Sequence, residues 1–163
     1  MEKTLGPKRI PLFIAKIIFF VYGIVWTLKR RSAKSMKDVY ELFYLDFLRL
    51  NEKDVEVVKL DDDLLITRCK NPCPILNLSL SLKVDTKISC KIVSEPVCKY
   101  VLRKLNPRLA FERNYGHIRP YSESCEEKNL LEKLRPLNVK VKVKLIGMRS
   151  QRNLQVLPSC HIH

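Results

Sequence analysis

The stretch "RIPLFIAKIIFFVYGIVWTLKRR", residues 9–31, limits what the chain can fold into more than any other. From Ile10 to Leu28 only Lys16 is charged. An apolar run of about 20 residues is long enough to cross a bilayer as a helix. Arg9, Lys16, Gly23 and Arg30 recur in steps of seven, so on a helix they form one narrow hydrophilic line along an otherwise apolar cylinder. A membrane span, a helix lying in the membrane interface and a helix packed on a domain core all satisfy that pattern. Lys16 does not choose among them, because a lysine near one end of a span can snorkel.

A cleaved signal peptide fits poorly. The apolar run is long, bulky Tyr22 and Trp26 stand near its end, and "LKRRSAK" follows in place of a small-residue cleavage site. The segment is therefore expected to be retained. If it spans, the heavier basic flank of Lys29, Arg30, Arg31, Lys34 and Lys37 predicts that the rest of the chain stays in the cytoplasm. In that reducing compartment cysteines are more often buried, metal-binding or catalytic than disulfide-bonded. The organisation read from the sequence is a membrane-associated or transmembrane helix over residues 1–34, an α+β ligand-binding domain over 35–150 and a tail over 151–163.

A chain of 163 residues suits one domain and needs neither disulfide nor metal merely to fold. Its net charge of +14 is uneven: residues 1–37 carry +8, residues 38–63 carry −6 and the remainder +12. This balance favours an anionic partner, whether an acidic lipid surface, nucleic acid or an acidic ligand, although net charge by itself speaks only to non-specific attraction and solubility.

Ser35 and Asp38 are spaced to cap a helix, in which Met36, Val39, Tyr40, Phe43, Phe47 and Leu50 recur at intervals of three and four. The β-branched runs around Asp61-Asp62-Asp63 predict a hairpin of strands 55–60 and 64–69. Three carboxylates in a row raise a metal question, but neighbouring residues in a tight turn point apart, and a solvated turn is the plainer reading. Leu76, Leu78, Leu80, Leu82 and Val84 alternate with polar residues and predict a strand. Ser94 before Glu95-Pro96 predicts a helix to about Leu105, ended by Asn106-Pro107, with Cys98 in first turns whose dipole favours a thiolate. "RLAFER" (108–113) and "NVKVKVKLIG" (138–147) read as strands, and "SCEEKNLLEKL" between them has helical composition. The sum is an α+β fold, N-terminal helices followed by a mixed or mainly antiparallel sheet of about four to five strands with helices on one face.

With only four glycines, no phosphate-cradling loop is present, and nucleotide-dependent chemistry is not expected. No Gly-x-Ser-x-Gly elbow or His-Glu-x-x-His occurs, and His117 is the one histidine outside the terminal "HIH". His117 paired with Cys98 or Cys125 as nucleophile is one reading, and a hydrogen-bonded bystander is the other. Cysteines stand at 69, 73, 90, 98, 125 and 160 without paired Cys-x-x-Cys knuckles, so this is no zinc finger or ribbon. A free cysteine is also commonly a small core residue.

The order "RCKNPCP … SEPVC … LNPRLAFER … ESCEE" resembles a family of small domains related to the 4-vinyl-reductase domain and to L-2-amino-thiazoline-4-carboxylic acid hydrolase, over about residues 55–128. The resemblance implies an α+β ligand-binding domain. Some relatives bind zinc through a cysteine at a helix start, a glutamate on a strand and two later cysteines. Carried over, those positions are Cys98, Glu112 and Cys125, while Tyr115 stands where the remaining cysteine is expected. His117, Cys90 or Cys73 would have to complete a tetrahedral shell.

Three functions of different classes follow as expectations. The first is a sensor-type module binding a small, largely apolar molecule, with zinc as a structural cofactor and a homodimer as one assembly. The second is a hydrolase opening a cyclic C=N bond, with Glu112, Glu95 and His117 as candidate acids or bases. The third is non-specific nucleic-acid binding through Lys140, Lys142 and Lys144, for which no interleaved aromatics supply a stacking platform.

Overall fold

The computed structural model describes residues 6–132. Helix α1 (Arg9–Thr27) comes first. Helix α2 (Met36–Val39) continues directly into a π-helical stretch, Tyr40–Phe47. Strands β1 (Val55–Leu60) and β2 (Leu64–Cys69) follow, then α3 (Pro74–Leu82). Helix α4 (Thr86–Ser89) runs through a π-helical turn, Cys90–Ser94, into α5 (Glu95–Leu105). Strands β3 (Leu109–Arg113) and β4 (Cys125–Leu131) complete the described fold.

The sheet has four strands in the order β1-β2-β4-β3, and every neighbouring pair is antiparallel. The protein is thus α+β, as the sequence predicted. Cross-strand register sets Leu65 opposite Asn129, Thr67 opposite Glu127 and Cys69 opposite Cys125. Phe111 faces Asn129 and Arg113 faces Glu127 across the other ladder. Opposed residues share a face, so these side chains form one inner surface, while the Arg68–Glu126 and Lys128–Glu112 pairs decorate the other.

The inner surface packs on helices. Phe43, Tyr44 and Phe47 from the second helical stretch meet Val97, Val101, Leu102 and Leu105 of α5 together with Leu65, Leu109 and Phe111 of the sheet. A smaller cluster gathers Leu12, Ile75, Cys90, Val93 and Ile118. Helix α1 contributes Trp26 to the first cluster and Leu12 to the second, so it spans both. Of the three placements open to the apolar run, packing on the core is present along this helix.

The helix after Ser35 and the 55–60/64–69 hairpin stand where the sequence put them. The capping box is complete: Asp38 N–H donates to Ser35 Oγ at 3.1 Å, and Asp38 Oδ2 accepts from Ser35 N–H at 3.0 Å. Asp61 closes the hairpin turn through its backbone and pairs with Lys59 at 2.9 Å, in keeping with a solvated turn.

Two expected elements are corrected. The alternating leucines of 76–84 do not form a strand; residues 74–82 are the helix α3. Its inward side is Ile75 and Ser79, with Leu78 and Leu82 partly buried. Ser79 hides this helical face from a hydrophobicity reading because its hydroxyl, bonded to the Ile75 carbonyl at 2.6 Å, takes a buried place. Residues 125–131 are not helical but form β4, the strand held between β2 and β3. Its inward side chains include Glu127 and Asn129, polar groups that find partners only in the tertiary structure. The strand predicted at 138–147, with Lys140, Lys142 and Lys144, and the tail 151–163 lie outside the described residues.

Candidate functional site

The inner surface of the sheet does not close completely against the helices. A cavity of about 640 Å³ remains, bounded by α1, by the segment after Phe47, by the loop from β2 into α3, and by the helix holding Cys90 and Cys98. Ala15, Ile18, Phe19 and Tyr22 of α1 form one wall. Phe47, Leu48 and Leu50 form the next, and Ile75 and Leu78 of α3 another. The lining is mainly apolar, the chemistry expected of a pocket for a small organic molecule.

The polar lining residues are Arg49, Asn71, Ser94, Arg113, Arg119 and Glu127, of which Arg113 and Glu127 stand on the sheet. Arg113 and Glu127, opposite each other on β3 and β4, form an ion pair with side chains only 7% and 6% exposed. Arg113 also donates to Ser94 Oγ at 2.6 Å. Burial works against the Arg113 charge, but Glu127 and the thiols of Cys98 and Cys90 outweigh it and hold its pKa above the ordinary value. Among the described residues, Arg113 Nε and Glu127 Oε2 are nevertheless buried without a hydrogen-bond partner. Arg119, also on the lining, donates through Nη1 to the Asn71 carbonyl at 2.7 Å, and its Nε likewise has no hydrogen-bond partner among the described residues. Buried polar groups are normally satisfied, so orphaned atoms beside an apolar cavity mark a place suited to a polar end of a guest.

Cys69, Cys73, Cys90, Cys98 and Cys125 all line this cavity, five of the chain's six cysteines, and all five are free. Cys98 and Cys125, which the resemblance nominated as ligands, thus border the same hollow. The rest of the expected zinc set divides. Glu112 alternates to the opposite face of the sheet, where its side chain is 62% exposed and pairs with Lys128 at 3.5 Å. His117 lies off the cavity lining, with Nε2 in hydrogen-bond contact with Ser124 Oγ at 2.9 Å and Ser122 Oγ at 3.0 Å. Among the described residues no three His, Cys, Asp or Glu side chains gather as a metal-holding group.

The thiols also differ from the expectation for Cys98. That residue sits inside a continuous helical run, residues 86–105, rather than at its start, so it has no access to unpaired helix N–H groups. Burial instead pushes its thiol up to about 12 and that of Cys90 up to about 11, against a partial counter-pull from Arg113. Burial raises Cys69 still further. Glu95, a candidate acid or base, is engaged elsewhere. Its burial alone would raise its pKa, but Lys99 at 2.5 Å and the Tyr115 hydroxyl prevail and lower it.

Arg113, Glu127, Arg119 and Cys69 are cavity residues that the sequence reading did not select. A signal for Arg113 existed: it shares parity with Leu109 and Phe111 on one strand, which points it inward. Glu127 carried no such signal, because its segment has helical composition. Searches against family models, curated proteins and solved structures return no match to this chain.

Proposed function

We propose that this protein is a small-molecule-binding domain of sensor type, whose guest is largely apolar with one polar end. The observation that carries the reading is the cavity of about 640 Å³ with apolar walls and a buried Arg113–Glu127 pair on its lining, whose Nε and Oε2 lack partners among the described residues. The volume falls within the range of sites that enclose drug-sized organic ligands. An apolar body would be held by α1 and α3, and the polar end would take up the unpaired capacity of Arg113, Glu127 and Arg119.

Hydrolysis of a cyclic C=N bond is less well supported. A cysteine nucleophile needs a thiolate, and burial keeps the thiols of Cys90 and Cys98 protonated near neutral pH. Of the acids and bases expected to assist, Glu112 faces away and Glu95 is bound to Lys99 and Tyr115.

Anilinonaphthalenesulfonate, an apolar anion that fluoresces when shielded from water, serves as a probe. The full chain should bind it saturably, and Ala15→Trp, which fills the cavity from α1, should abolish that site while leaving the unfolding free energy from urea denaturation within about 1 kcal/mol of the parent. Leu78→Trp provides a second filling variant from α3. Saturable binding retained unchanged in both folded variants would overturn the proposal.

A further inference from the structure

Helix α1 is inverted relative to an ordinary surface helix. Ile10, Phe13, Ile14, Ile17, Val21 and Val25 are 46–66% exposed. At helical spacing they project within an arc of about 120° that no polar side chain interrupts. Gly23, on the hydrophilic line with Lys16, is instead buried against Val97 and Val101 of α5. Soluble helices turn their most apolar stripe inward and their polar line outward. Here the stripe most in need of cover faces away from the domain along a helix roughly 28 Å long. Monomeric soluble proteins rarely expose a continuous apolar patch on that scale.

We propose that this face seats in the interface of a bilayer bearing acidic headgroups, with α1 lying in the membrane plane while still docked to the domain. Charge complementarity selects this occupant. From Gly6 to Lys37 the chain contains no Asp or Glu. Lys8 and Arg9 precede the stripe, and Lys29, Arg30 and Lys34, all exposed, follow it. Basic residues at both ends of an apolar face suit anionic headgroups flanking a buried helix. A second copy of the chain is disfavoured by the same pattern. Whether two α1 helices paired parallel or antiparallel, a basic end would meet a basic end, on subunits that each carry a net charge of +14.

A span is disfavoured by how α1 is held. The Tyr22 hydroxyl donates to the Phe47 carbonyl at 2.8 Å, Leu12 and Trp26 are buried near opposite ends of the helix, and Gly23 lies against α5. Crossing the bilayer would strip all of these contacts. Ile18, 65% exposed at the edge of the outward stripe, also lines the cavity, so a bilayer seated on α1 would lie beside the rim of the cavity. The docking itself does not depend on whether the cavity holds a guest.

The test is flotation of the full chain with vesicles of phosphatidylcholine plus phosphatidylglycerol and with phosphatidylcholine alone. Ile14→Glu/Ile17→Glu/Val21→Glu, all at exposed positions away from the cavity, is the paired variant. The parent should float with acidic vesicles, roughly tenfold more weakly with neutral ones, and progressively less as salt is raised. The variant should lose flotation while keeping the parent's urea midpoint and its saturable binding of the anionic probe. Equal flotation of parent and variant, or no flotation of the parent, overturns the proposal. So does a parent dimer that the variant splits, which would assign the face to a second copy. Membrane-bound protein that resists carbonate extraction would assign it to a span and equally overturn docking in the plane.

Discussion

Arg113 and Glu127 oppose each other across β3 and β4 and meet as an ion pair on the inner wall of the cavity, each side chain less than a tenth exposed. A pair in this position leaves a large penalty when only one partner is removed, because the survivor is an uncompensated charge in an apolar setting.

Glu127→Gln should therefore cost about 3–5 kcal/mol in urea denaturation. Arg113→Met/Glu127→Leu, which removes both charges, should recover most of that loss. A single variant as stable as the parent would show that water reaches the pair freely.

The raised thiols make stability fall on the alkaline side. In the unfolded chain a cysteine loses its proton at about 8.5, whereas folded Cys90 and Cys98 hold theirs to about 11 and 12. Between these limits the folded state binds more protons than the unfolded state, so unfolding becomes easier as pH rises through that window. Urea midpoints should drop from pH 8.5 towards pH 11, and Cys90→Ala/Cys98→Ala should flatten the slope. Thiol labelling in the native protein should reach half-buried Cys73 and Cys125 before Cys98.

The capping box at the start of α2 predicts the opposite pH sign. Backbone hydrogen bonds from Lys34 and Ser35 hold the Asp38 carboxyl below its ordinary range. Its contribution is present above the unfolded pKa and is lost as pH falls through the lower folded value. Asp38→Ala should thus destabilise at neutral pH and converge with the parent in acid. Ser35→Ala, which removes the neutral half of the box, should cost about 0.5–2 kcal/mol at neutral pH.

Gly23 marks a close approach of α1 to α5. A Cβ there would stand 3.2 Å from both Val97 Cγ1 and Val101 Cγ2, so any larger side chain must push the helices apart. Gly23→Leu should cost about 1–3 kcal/mol by overpacking and weaken probe binding, because α1 is a cavity wall. Unchanged stability in that variant would mean that α1 is not docked as described.

Lys83 ends α3 in the left-handed region, with φ of 52°, where a residue with a Cβ is strained. Lys83→Gly relieves that strain but adds unfolded-state entropy, leaving a net gain of about 0.5–1 kcal/mol, read as a raised thermal midpoint.

Local signals were enough for several parts of this protein. Ser35 and Asp38 announce a helix because the capping partners are three residues apart, and the runs around Asp61-Asp62-Asp63 announce a hairpin because the turn and both strands are contiguous. The apolar run of α1 is equally plain, and the parity of Leu109, Phe111 and Arg113 gives β3 its inward side. What composition could not reveal were α3, whose buried face includes Ser79, and β4, whose inward Glu127 and Asn129 are matched by Arg113 and Tyr44 from distant segments. A buried polar residue looks like a surface residue until its partner is in place, and those partners are brought together only by folding. The same reason separates Cys98 from Glu112: the family resemblance nominated both, but the alternation of a strand whose register is set by its neighbours turned Glu112 into solvent, while Cys98 borders the cavity.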